Sequence, residues 1–205
     1  MVVVDVVVDH LTMTPDERLR TTLDAARTAA TPQAACAVIE RAFVDEPALT
    51  AAAILHHAHT QVLVAAGRFD DAVAAAERAV DLAPHIAEFH GNLGSALLAQ
   101  VRRDGPQSPA LARAVDVLTT AVACRPHTPQ VRSTLAVALT AAGRHDEAIA
   151  VCDENLAQFA DDAPTMFNKA SALVAAGKQA EAVALLESLS STFPPAATAL
   201  HKLKT

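Results

Sequence analysis

Three six-residue segments carry the same order of chemistry: Gly67-Arg68-Phe69-Asp70-Asp71-Ala72, Gly143-Arg144-His145-Asp146-Glu147-Ala148 and Gly177-Lys178-Gln179-Ala180-Glu181-Ala182. Self-similarity at a fixed spacing constrains a fold more than any single motif, because each copy must be the same small structural unit. The last two glycines are 34 residues apart; the first two are 76 apart, two such periods plus eight. Pro84 and Pro126 are 42 apart, one period plus eight. Between them runs Arg102-Arg103-Asp104-Gly105-Pro106-Gln107-Ser108-Pro109, polar and rich in turn formers, which reads as an enlarged turn inside one repeat.

Each unit has a simple mechanical reading. An apolar helix ends at the glycine, which can adopt the left-handed conformation that closes a helix. The acids that follow sit on the first turn of the next helix, where the helix dipole favours them. That helix runs to a proline, which cannot continue it. Helix starts are signalled elsewhere by a capping box at Thr14-Pro15-Asp16-Glu17 and by Thr31-Pro32, Ser108-Pro109 and Thr128-Pro129. No long alternating segment predicts a strand. One helical hairpin cannot bury its own apolar face, so the hairpins must stack.

At this point the sequence resembles the tetratricopeptide repeat (TPR) family, whose 34-residue pattern is W-x2-L-G-x2-Y, then A-x3-F, then P. The Tyr slot holds Leu63, Leu97, Leu139 and Leu173, and the Ala slot holds Ala72, Ala114, Ala148 and Ala182. The Phe slot holds Ala76, Leu118, Cys152 and Leu186, and the Pro slot holds Pro84, Pro126, Ala160 and Pro194. The Leu-Gly pair survives only as Leu93-Gly94, and the Trp slot is occupied by His56, His90, Arg132 and Met166. The resemblance implies an all-α fold, an α-α superhelix of antiparallel helix pairs. It places repeats at residues 50–84, 87–126, 129–160 and 163–194, a degenerate pair at 14–47, and a capping helix at 195–204.

The same resemblance implies a non-enzymatic adaptor that holds a protein or peptide on a concave face lined by the first helix of each pair. Mapped onto this chain, the expected partner-binding residues are His57, Gln61, Asn92, Ser95, Leu98, Thr134, Val137, Phe167, Asn168 and Ser171. Glu88 is the one formal charge on that face, so a neutral, partly apolar peptide or helix is expected there. The cations that would clamp a terminal carboxylate are missing. Asn92, Thr134 and Asn168 fall at equivalent positions in successive repeats and can bond an extended backbone. The same residues are also ordinary on an exposed helix face.

Composition narrows the remaining classes. With 52% hydrophobic residues the chain can bury a core, yet only 3% are aromatic, so small side chains must let helices approach closely. A net charge of −7 with no basic run argues against a nucleic-acid partner. Cys36, Cys124 and Cys152 form no CxxC and read as reduced thiols of a cytoplasmic protein. No nucleophile elbow, phosphate loop or HExxH is present, and no cofactor is expected. His56, His59 and His90 form the one candidate metal set, a second alternative function. Equally, they fill slots that pack between helices and can be half-buried residues bonded to carbonyls.

Residues 1–13 read as an N-terminal arm. Val2-Val3-Val4 and Val6-Val7-Val8 are β-branched and poor helix starters, and with Asp5 between them they form neither a leader nor a membrane span. They are either a frayed tail or an extended segment that docks in a groove, the chain's own or a neighbour's. The second reading makes a homo-oligomer, or a groove filled by the chain itself, the first alternative function.

Overall fold

A computed structural model describes residues 13–124 and 128–204. The valine arm and Pro126 therefore lie outside the described residues. The chain divides into two compact units, Met1–Pro84 and His85–Thr205. All regular structure among the described residues is helical.

The first unit holds α1 (Pro15–Thr28), α2 (Pro32–Asp45), a 3-10 turn at Pro47–Ala51, α3 (Ala53–Ala65) and α4 (Phe69–Leu82). α1 packs on α2, α2 on α3 and α3 on α4, and α1 also touches α3. The capping box forms as the sequence predicts: Glu17 N donates to Thr14 Oγ1 (3.3 Å) and Thr14 N donates to Glu17 Oε2 (2.7 Å). Ile39 and Leu55, both 0% exposed, sit at the centre of this unit's core with Leu49, Ala26 and Ala35 around them.

The second unit holds α5 (Ala87–Asp104), α6 (Pro109–Ala123), α7 (Pro129–Ala141), α8 (His145–Gln158), α9 (Ala163–Ala175), α10 (Gln179–Leu189) and α11 (Pro194–Lys204). The hairpins are α5/α6, α7/α8 and α9/α10, with α11 packed on α10. Their first helices α5, α7 and α9 lie side by side, while α7 also rests on α6 and α9 on α8. Leu118, Leu186 and Cys152, from the Phe slots, and Leu97, Leu139 and Leu173, from the Tyr slots, are all buried.

The glycines close helices as expected. Gly67, Gly143 and Gly177 have φ of 76°, 75° and 78°. The amide after each donates back to the leucine of the Tyr slot, as Arg68 N to Leu63 O, Arg144 N to Leu139 O and Lys178 N to Leu173 O, at 2.8–2.9 Å. These are the paired closing bonds that satisfy the last carbonyls of a helix.

Two details differ from expectation. The eight-residue insertion is not all turn: α5 runs for 18 residues to Asp104, whereas α3, α7 and α9 have 13 each. Arg102 and Arg103 lie in the last turn of α5, where cations suit the negative end of the dipole, and Gly105 (φ 95°) ends it. Thr128 precedes α7 but its side chain makes no capping bond. Among the described residues no helix is long and apolar enough to cross a membrane.

Candidate functional site

In the first unit, α3 carries both residues expected to meet a partner. Gln61 is exposed and His57 is half-buried; their Nε2 atoms stand 3.4 Å apart, one turn from each other. Gln61 lines a cleft of about 330 Å³ walled largely by alanines, among them Ala26 and Ala29 at the end of α1 and Ala35 on α2, with Arg27 and Thr31 also on its lining.

In the second unit the exposed face of α7 and α9 is an uncharged strip. Val137 and Val174 are each 38% exposed, with the Thr134 and Ser171 hydroxyls near them in sequence. These hydroxyls are tied to their own helices: Thr134 Oγ1 donates to Gln130 O (2.7 Å), Ser171 Oγ to Phe167 O (3.0 Å) and Ser95 Oγ to Gly91 O (3.0 Å). A hydroxyl has one proton and two lone pairs, so what such a group offers outward is an acceptor.

Not every expected lining residue is offered to a partner. Leu98 is 5% exposed and belongs to the core. Asn168 Nδ2 donates to Ser133 Oγ (2.7 Å) and Ser133 O (3.3 Å), so this amide bolts α9 to α7. The Phe167 ring packs on Phe193 at 5.6 Å and helps seat α11. Asn92 lies half-buried on α5.

The histidines have structural partners. His56 stacks on Phe43 (4.8 Å between centroids) and its Nε2 lies 3.0 Å from Thr50 O. His59 Nε2 is buried, 3.7 Å from Glu40 Oε1, while Glu40 also takes Arg68 at 2.5 Å. His90 is buried in the second unit. Among the described residues no group of three or more His, Cys, Asp or Glu side chains is arranged to hold a metal. Two thiols are made poor nucleophiles by their surroundings: burial holds Cys36 above its ordinary value and pushes Cys152 up to about 12.

Burial also lowers the affinity of His56 and His59 for a proton, against the opposing pull of Glu40 on His59. The unfolded chain takes up those protons near the ordinary value of 6.5, the folded chain only at lower pH. Stability is therefore full above pH 6.5 and is lost as the pH falls from there towards the folded values. Thermal melting should show a lower midpoint at acid pH than at neutral pH, with a smaller drop in His59→Gln. A midpoint that His59→Gln leaves equally acid-sensitive would exclude this ring as the cause.

Sequence reasoning missed two buried polar side chains. Asn155, 0% exposed on α8, donates from Nδ2 to Thr165 Oγ1 on α9 (2.7 Å) and to Pro129 O at the start of α7 (3.1 Å). The signal was present: the equivalent slot holds Ala79, Ala121 and Leu189 in the other repeats. Arg132, in the Trp slot of α7, is 5% exposed, and its buried Nε and Nη1 have no hydrogen-bond partner. A buried unpaired charge costs free energy that an apolar residue of similar volume does not. Arg132→Met, copying Met166 in the next repeat, should stabilise the protein by about 1 kcal/mol. A lower denaturation midpoint in that variant would show that the guanidinium is satisfied in solution.

The geometry agrees with the comparisons. A tetratricopeptide repeat model matches residues 58–105, and a second such model matches 110–164 and 139–205. By sequence, no curated protein matches the chain. Among solved structures, TTC0263, a thermophilic TPR protein of Thermus thermophilus, is similar at a TM-score of 0.71, with 18% identity over 93% of this chain and 98% of its own. PilW, a type IV pilus biogenesis factor, is similar at 0.70, with 18% identity over 85% and 75%. YrrB, a TPR protein with an unusual peptide-binding site, is similar at 0.62, with 20% identity over 85% and 84%. The glycine-closed hairpins, the buried slot residues and these matches together make this chain a member of the tetratricopeptide repeat family.

Proposed function

We propose that the protein is a non-enzymatic adaptor that holds a neutral, partly apolar peptide or helix of a protein partner. The observation that carries this reading is the uncharged strip on α7 and α9, where Val137 and Val174 stand exposed three residues beyond Thr134 and Ser171. Exposed apolar side chains among uncharged polar ones favour a partner of the same character, because an unpaired partner charge would lose its water without compensation. On α3, His57 and Gln61 beside the alanine-walled cleft offer the first unit's own contribution. A peptide-binding site occurs in the similar protein YrrB, which supports the class of function.

The refined set of contacts leaves out Leu98, Phe167 and Asn168 as test positions, since each has a packing or bolting task. Val137→Asp with Val174→Asp changes the strip without touching the core. Selection from a random peptide library on the wild-type protein should enrich uncharged sequences with apolar anchors, and the double variant should lose them while melting at the same temperature. Enrichment of strongly charged peptides, or binding indifferent to both substitutions, would defeat the reading.

A further inference from the structure

The polar groups of the strip on α7 and α9 have already spent their protons. Thr134 Oγ1 donates to Gln130 O, Thr140 Oγ1 to Ala136 O and Ser171 Oγ to Phe167 O, each within its own helix. Asn168 reaches the same state by another route. Its two N–H groups go to Ser133 Oγ and Ser133 O, and because the second of these is a carbonyl, the amide nitrogen must be the atom that faces it. What remains of the amide is Oδ1. A hydroxyl or amide in this state offers a partner an acceptor and no donor. The same bolt sets the register of α7 and α9, which run the same way as first helices of successive hairpins. Asn168 sits against Ser133, so one turn further on Ser171 comes beside Val137, and a further turn brings Val174 beside Thr140. Exposed Ser171 thus neighbours both exposed valines, one across the helices and one along its own.

We propose that the partner anchors itself here by a tryptophan, its ring over Val137 and Val174 and its indole N–H donated to Ser171 Oγ. This rests on the adaptor reading and names the side chain which that reading leaves open. A strip of acceptors selects by hydrogen-bond polarity. A partner oxygen brought against these oxygens would lose its water and gain no bond, and a carboxylate would lose most. Lys and Arg carry donors only, but their charge would be desolvated where the strip supplies no counter-charge. Ser, Thr, Tyr, Asn and Gln each bring an acceptor with their donor. Tryptophan alone among neutral side chains has a donor and no acceptor, and it carries them on a large apolar body that suits the two valines.

The test uses the full chain and peptides selected on it from a random library. Tryptophan should dominate the anchor position of the enriched, uncharged sequences. One such peptide is then made again with benzothienylalanine, which keeps the two-ring shape and lacks the N–H. Titration calorimetry on the wild-type protein should show the affinity fall on the order of fivefold, the worth of one hydrogen bond. Ser171→Ala removes the acceptor at an exposed helix position; it should bind both peptides equally, at the weaker level. Equal affinities on the wild type, or a preference that Ser171→Ala leaves intact, would overturn the proposal. Uncharged peptides anchored by Leu or Phe would overturn it while leaving the adaptor reading in place. Enrichment of charged peptides, or of none, would remove both.

Discussion

Gly94→Ala should destabilise the second unit by about 2 kcal/mol, although alanine is the better helix former by about 1 kcal/mol. Gly94 lies in the middle of α5, where a Cβ would stand 2.4 Å from Leu118 Cγ and 2.5 Å from Leu118 Cδ2. Leu118 is 0% exposed, so its branch carbon cannot swing aside. α5 and α6 must separate instead, and overpacking of this kind costs about 3 kcal/mol, which outweighs the gain in propensity. Urea denaturation of the full chain reads the result. A raised midpoint would mean that α5 and α6 do not meet at this glycine. Adding Leu118→Ala gives a sharper check: it should cost less in the Gly94→Ala background than alone, because the side chain it removes is the one in collision.

Asn155→Ala should cost about 2 kcal/mol, even though alanine is what two other repeats hold at that slot. The substitution strips the Thr165 hydroxyl and the Pro129 carbonyl of their donor at a point where α7, α8 and α9 meet. Leaving buried polar groups unpartnered costs about 1–3 kcal/mol, and the vacated volume adds to it. Asn155 Oδ1, which is buried without a partner, works in the opposite direction, since its removal relieves a penalty. The balance still favours destabilisation, because two hydrogen bonds are lost and one orphan is removed. Thr165→Val in the same background should add little, because the hydroxyl has already lost its donor. A variant as stable as the wild type would show that the helix junction is held by apolar packing alone.

Much of the architecture was legible before any coordinates. Gly67, Gly143 and Gly177 announced helix ends because positive φ is a local property that one residue type tolerates best. The Leu and Ala slots announced buried faces because their spacing matches the helical period. Val137 and Ser171 could be placed on the outward face by the same period. Leu98 could not, since periodicity names a face without saying whether another helix covers it.

The sequence by itself determined the repeat, the helical hairpins and the near-absence of charge on the candidate face, all of which depend on residue type and short-range spacing. Only the tertiary structure decided which polar side chains were spent on holding the stack. Asn168 looked like a groove amide and is a bolt to Ser133; Asn155, which no sequence pattern singled out, joins three helices; Arg132 fills an aromatic slot, and its buried Nε and Nη1 have no hydrogen-bond partner. Each of those outcomes rests on a partner on another helix, 10 to 35 residues away, or on the lack of one. A hydrogen bond over that separation is set by how helices seat against each other, and no local pattern encodes it.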